Sequence, residues 1–151
     1  MKNIFVKLFY LFFPLFLGII VSIIISDGIN YNTLIKPPLA PPSILFPIVW
    51  TIIYLLMGIS FFLLKRNTSN NQKESLIYYL QLFVNILWSI IFFNLEWRFF
   101  AIIWIVLLDI LVIYMIILFY RKYKLSAYLN ILYLIWILFA TYLTIGIYIL
   151  N

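Results

Sequence analysis

The stretch Leu8–Ser43, LFYLFFPLFLGIIVSIIISDGINYNTLIKPPLAPPS, decides what kind of protein this is. It begins with 18 uncharged residues, Leu8 to Ile25, and ends with KPPLAPPS (Lys36–Ser43), which holds four of the chain's six prolines. A helix rising 1.5 Å per residue needs about 20 apolar residues to cross a hydrocarbon core of about 30 Å. The first run, roughly 4–26, is that long. It exceeds the apolar core of a secretory leader and no small-residue cleavage site follows, so it reads as a retained span. KPPLAPPS cannot continue a helix, because proline fixes φ and pushes the residue before it towards extended geometry. It reads as a semi-rigid, polyproline-like strap leading into the next span.

The same reading extends along the chain. Of the 151 residues, 68% are hydrophobic and 9% are charged; a soluble domain carries about 25% charged residues. Four further segments are long and apolar enough to span, roughly 44–64, 76–95, 99–120 and 126–150. They are separated by KRNTSNNQKES, LEWR and RKYKLS. Barrel strands alternate polar and apolar residues over about 10 positions, whereas these runs are apolar throughout. The expected fold is therefore an all-α membrane protein, a five-helix transmembrane bundle with a proline-rich loop between helices one and two.

The basic residues divide unevenly. Lys2, Lys7, Lys65, Arg66, Lys73, Arg121, Lys122 and Lys124 fall on the N-terminal side, and Lys36 and Arg98 on the other. This asymmetry predicts a cytoplasmic N-terminus and an external C-terminus. It also accounts for the net charge of +6 without nucleic acid. The absence of cysteine and histidine removes thiolate and imidazole chemistry, so no metal site is expected. No hydrolytic triad or nucleotide loop is present. No internal repeat, broken helix or set of buried ionisable groups points to a secondary transporter.

Within the spans, polar and aromatic residues fall on helical stripes. Trp50, Tyr54 and Met57 form one in span two, with Gly58 beside it. Gln81, Asn85 and Trp88 form another in span three, and Trp136, Ala140 and Thr144 a third in span five. Such faces serve either helix packing, with amides bonding across the bundle, or a pocket for a flat apolar ligand. Spacing alone leaves both open. Gly18, Ser22 and Ser26 make a small-residue stripe suited to a helix contact or a dimer face. Pro14 is expected to kink its helix, and Trp97 to sit at the lipid–water boundary. Asp109 lies mid-span without a basic partner at its depth. It is expected to be protonated or bonded to a tyrosine or amide, in a structural role.

Several of these residues carry a likeness. K36-P37-x-x-x-P41-P42 followed by F46-P47-x-x-W50-x-x-x-Y54-x-x-M57-G58 resembles the signature of the TspO/MBR family, also called translocator protein, tryptophan-rich sensory protein or peripheral-type benzodiazepine receptor. N85-x-x-W88-x-x-x-F92-F93 looks like its third-helix pattern. A127 and Y133-x-x-W136-x-x-F139-A140-x-x-L143 look like its fifth. The likeness covers almost the whole chain and implies one transmembrane domain over 1–151, with the strap as a lid over an intra-bundle pocket.

The resemblance implies binding of porphyrins such as protoporphyrin IX and haem, as ligands rather than required cofactors, and of benzodiazepine- and isoquinoline-like compounds. It also implies homodimers in a bacterial cell membrane. Carried over residue by residue, it marks Tyr31, Pro41, Trp50, Asn85, Trp88, Trp136 and Ala140 as ligand-facing, and Tyr54 stands in both the motif and the stripe. Some bacterial members are reported to promote light-dependent porphyrin breakdown. Trp50 and Trp136 would then be the photochemical residues, with no conventional catalytic residue. This chain departs from the family pattern in four places. Leu39 replaces the usual lid tryptophan, Leu132 a proline expected to bend helix five, and Thr144 a late asparagine. Trp104 stands where an acid is usual, and Asp109, five residues on, points about 140° away.

Overall fold

A computed structural model describes residues 3–26 and 30–151. Lys2, part of the charge count above, and the loop residues 27–29 lie outside the described residues. The described residues form helices and loops with no strand. The long elements are α1 (Ile4–Ile25), α2 (Leu45–Asn67), α3 (Gln72–Phe93) and α4 (Arg98–Lys122). The fifth span is divided into a short α5 (Lys124–Tyr128) and α6 (Ile131–Leu150). Among the described residues, five spans are long and apolar enough to cross a membrane.

Each boundary has a local cause. Asn3 caps α1, its side-chain oxygen accepting from the Phe5 N–H at 2.9 Å. Pro14 is buried inside α1, which continues through it. The prolines end before α2 starts, and Pro47 sits in its first turn, where a missing N–H leaves no helical bond unmade. Asn70 and Glu96, both at positive φ, turn the chain between α2 and α3 and between α3 and α4. One extended residue, Tyr123, separates α4 from α5. Instead of the straight fifth helix expected from Leu132, the chain breaks three residues earlier, at Leu129–Asn130.

The helices close into a ring in which α1 packs on α2 and α3, α3 on α4, α4 on α5 and α6, and α5 on α2. Two glycines set the α1–α2 approach. A Cβ on Gly58 would run into the Leu11 carbonyl, and one on Gly18 into the Tyr54 ring. The small side of Gly18 thus serves a contact within the chain. Contacts between α2 and α6 are sparse, and the space between them is filled differently at the two ends of the bundle.

At the end away from the first loop the interior is packed. Phe61 stacks on Tyr78 at 3.9 Å between ring centroids, and Met57, Leu64, Leu108 and Met115 are fully enclosed. Ser60 and Ser126 each donate to the other's carbonyl at 2.7 and 2.8 Å, and Asn130 donates to the Ser60 hydroxyl at 2.6 Å. This clasp ties α2 to the break in the fifth span.

Candidate functional site

The lid-end half holds a cavity of about 190 Å³. Trp50, Tyr54 and Phe46 of α2 form one wall, and Trp136 and Ala140 of α6 the opposite one. Trp88, Ser89 and Phe93 of α3 close it behind, and Gly18, Val21, Ser22 and Ile25 of α1 complete the ring. Tyr31 and Ser43 of the first loop cover it. The aromatic walls brace one another. Trp50 stacks on Tyr54 at 5.3 Å, while Phe46 meets Tyr31 at 5.0 Å and Trp136 at 5.9 Å, both edge-on.

Among the described residues, no charged side chain lines this cavity. Ser22 and Ser89 bond back to the carbonyls of Ile19 and Asn85 within their own helices. The indole N–H groups of Trp88 and Trp136 are buried and have no partner among the described residues. A buried unpaired donor costs about 1–3 kcal/mol, so the wall carries two donors whose bonding capacity is unused.

The loop above is fastened rather than loose. The Tyr31 hydroxyl donates to the Pro41 carbonyl at 2.9 Å, and the Tyr142 hydroxyl of α6 donates to the Pro38 carbonyl at 2.7 Å. The Asn151 side chain bonds both the N–H and the carbonyl of Ile35, at 3.0 and 2.8 Å. Gly146 makes room for Pro37, whose Cγ would lie 2.6 Å from an added Cβ. The Ala40 N–H bonds the Pro37 carbonyl at 3.3 Å across a tight turn that sets Leu39 at φ 68°. Leu39 is thereby turned outward, 86% exposed, and gives the cavity no roof. Lys36 sits at the lid's edge with its Nζ 4.8 Å from the centre of the Tyr31 ring.

Of the eight residues expected to face a ligand, the structure gathers six at this cavity: Tyr31, Trp50, Tyr54, Trp88, Trp136 and Ala140. Pro41 lies outside the wall and acts through its carbonyl, which anchors Tyr31. Asn85 is fully enclosed one turn below. It accepts from the Tyr54 hydroxyl at 3.1 Å and donates to the Tyr133 hydroxyl at 2.8 Å, and Tyr133 in turn donates to Gln81 at 2.8 Å. With both ends of its amide engaged, Asn85 holds Tyr54 in place instead of meeting the cavity directly.

Asp109 is likewise away from the cavity. It accepts from the Thr141 hydroxyl at 2.7 Å, where a tyrosine or amide was expected. Trp104, in the position of the family's acid, donates to the Val84 carbonyl at 2.9 Å and so links α4 to α3. The wall contributed by α1 was not anticipated as a site, since Gly18 and Ser22 signal a helix contact by their size alone. Phe46 lay inside the quoted motif but carried no polar signal. Trp97 is exposed in the turn before α4.

Comparison with known proteins agrees with this architecture. The TspO/MBR family profile matches residues 10–150. The chain is 39% identical over 122 residues to the tryptophan-rich protein TspO of Archaeoglobus fulgidus, covering 80% of this chain and 79% of that one. It is 36% identical over 127 residues to the tryptophan-rich protein TspO of Chlorobaculum tepidum, covering 80% and 78%. It is 34% identical over 127 residues to protein CrtK of Rhodobacter capsulatus, covering 82% and 79%. A five-span bundle, a proline strap fastened over an indole-walled cavity, and a match over nearly its full length place this chain in the TspO/MBR family.

Proposed function

We propose that this protein is an integral membrane receptor or carrier for flat, apolar tetrapyrroles such as protoporphyrin IX and haem, bound beneath the proline lid. The observation that carries the proposal is the cavity wall itself, with three indoles, a stacked Trp50–Tyr54 pair and, among the described residues, no charged group. Planar rings gain about 0.5–1.5 kcal/mol per aromatic pair beyond the area they bury, and the unused indole N–H groups of Trp88 and Trp136 can serve acceptors on a ligand's edge. Lys36 stands where a ring carboxylate emerging under the lid would meet a cation. Benzodiazepine- and isoquinoline-like compounds are flat and apolar and suit the same walls.

Drug-sized ligands occupy sites of about 300–1,000 Å³, and the cavity here is about 190 Å³. Binding a whole macrocycle then requires the strap to lift as a stiff unit, for which its prolines are suited. The charge asymmetry supports an orientation with the N-terminus cytoplasmic and the lid external, and the family likeness implies a homodimer in a cell membrane.

The test is tryptophan fluorescence in detergent. Protoporphyrin IX should quench it saturably, and combining Trp50→Ala with Trp136→Ala should weaken binding about tenfold or more. Unchanged affinity in the double variant would refute the pocket. Lys36→Ala should weaken protoporphyrin more than an uncharged isoquinoline ligand.

A second reading, light-dependent porphyrin breakdown, is favoured by the run of aromatic rings from Trp50 through Tyr54 to the Tyr133 network. Illumination of the stoichiometric complex separates the two readings. Loss of the porphyrin spectrum at the same rate in wild type, Trp50→Phe and Trp136→Phe would leave the protein a binder alone.

A further inference from the structure

A second concavity lies at the end of the bundle opposite the lid, and the binding function proposed above does not use it. The short α5 and the break at Leu129–Asn130 offset the start of α6 from α4 and leave a groove of about 190 Å³ between them. Its walls are Ile116 and Ile117 of α4, Ala127 of α5 and Ile131 of α6, and its rim is Tyr120, Arg121 and Tyr128. Below the rim it joins a lipid-facing surface on which Ile117 is 43% and Ile131 40% exposed.

Arg121 lines the mouth, and Lys122 and Lys124 follow it within four residues of sequence, all three exposed. Lys122 is used in the fold, donating to the Asn70 carbonyl at 3.1 Å. Among the described residues, Arg121 and Lys124 have no carboxylate within ion-pairing reach. The one ion pair among the described residues, Arg98–Glu96, stands in the turn between α3 and α4. Lys124 rests over the Tyr120 ring at 5.4 Å, and Tyr120 meets Tyr128 edge-on at 6.0 Å, so the rim is an ordered platform rather than a fringe of free side chains.

We propose that this groove holds one anionic phospholipid, an acyl chain lying between Ile117 and Ile131 and the phosphate at Arg121 and Lys124. The depth profile matches that class of molecule, with hydrocarbon walls towards the bundle centre and uncompensated positive charge at the helix ends. Basic pockets between helix ends at a membrane surface take anionic headgroups for this reason. A zwitterionic lipid offers the same chain but no net charge to answer the two cations.

The purified protein in neutral detergent, titrated with phosphatidylglycerol and separately with phosphatidylcholine, tests this by native mass spectrometry. Wild type should retain one phosphatidylglycerol at concentrations that leave phosphatidylcholine unbound. Arg121→Ala with Lys124→Ala should weaken that retention about tenfold or more, since each cation near an anionic surface contributes roughly a fivefold effect. Ile131→Trp, which fills the groove without changing charge, should do the same. Arg66→Ala, a basic residue that does not line the groove, should leave it unchanged. Equal retention of both lipids, equal losses in the Arg66 and Arg121/Lys124 variants, or displacement by inorganic phosphate alone would each overturn the assignment. Unaltered porphyrin quenching in the groove variants verifies that they fold, and keeps a failure here distinct from a failure of the cavity proposal.

Discussion

The two halves of the bundle interior are built from the same helical stripes and come out differently. Towards the lid, Trp50, Trp88, Trp136 and Ala140 surround empty space, and two indole donors go unused. One to two turns below, Met57, Gln81, Asn85 and Tyr133 are fully or almost fully enclosed and bonded to one another. Tyr54 and Asn85 mark the border, since Tyr54 shows its ring to the cavity and its hydroxyl to the network. The stripe determines which face turns inward. Depth along the stripe determines whether that face becomes a site or a core. On the core side Tyr54, Asn85, Tyr133 and Gln81 bond one another, while at the cavity the indole N–H groups of Trp88 and Trp136 have no partner among the described residues.

The largest effect should come from disturbing what both halves share, the α1–α2 approach. Gly58→Val forces side-chain atoms into the Leu11 backbone, which cannot yield as a flexible side chain would. Overpacking costs about 1–3 kcal/mol and occasionally more, and this contact is with backbone, so the upper end applies. The thermal midpoint in detergent should fall sharply and ligand quenching should be lost with it, because α1 supplies one wall of the cavity. A stable variant with normal quenching would mean that α1 can slide without consequence.

Next comes a change confined to the closed half. Asn85→Leu leaves the Tyr54 hydroxyl buried without its acceptor and deprives Tyr133 of a donor. Leaving a buried group unsatisfied costs about 1–3 kcal/mol, while hydrogen bonds between membrane helices average about 0.6 kcal/mol. A loss of about 1–2 kcal/mol of stability is expected. Porphyrin affinity should drop only as far as the Tyr54 ring moves, much less than for the Trp50→Ala, Trp136→Ala double variant. If Asn85→Leu abolished binding while the protein stayed as stable as wild type, Asn85 would belong to the site and the border would be misplaced.

The span pattern was legible in the sequence because lipid demands long apolar runs, and the inward faces because a helix repeats every 3.6 residues. The indoles were found for the same reason. The position of Asn85 one turn below the cavity wall was not legible because a stripe carries no depth; its partner Tyr133 is 48 residues away and outside its pattern. The Ser60–Ser126–Asn130 clasp spans 66 to 70 residues between small polar side chains that announce nothing individually. The break in the fifth span eluded a reading keyed to proline, because here the interruption lies at Leu129–Asn130 beside that clasp. The outward turn of Leu39 depends on a positive φ at a non-glycine residue, which residue type disfavours rather than signals.

The smallest expected effect isolates the lid from the walls. Tyr142 is 41% exposed, and its hydroxyl holds the strap through the Pro38 carbonyl alone. Tyr142→Phe keeps the ring and removes one hydrogen bond worth about 0.5–1.5 kcal/mol. Because that bond exists only while the lid is down, its loss should raise the open fraction about two- to tenfold. Global stability should fall by no more than the same amount, about 0.5–1.5 kcal/mol, since the packed half is untouched. Stopped-flow mixing with protoporphyrin IX should then show faster association by that factor, with dissociation accelerated to a similar extent and affinity nearly constant. A rate unchanged from wild type would mean that ligands reach the cavity laterally between α1 and α2 rather than under the strap, and the lid end would then be closed for stability rather than for access.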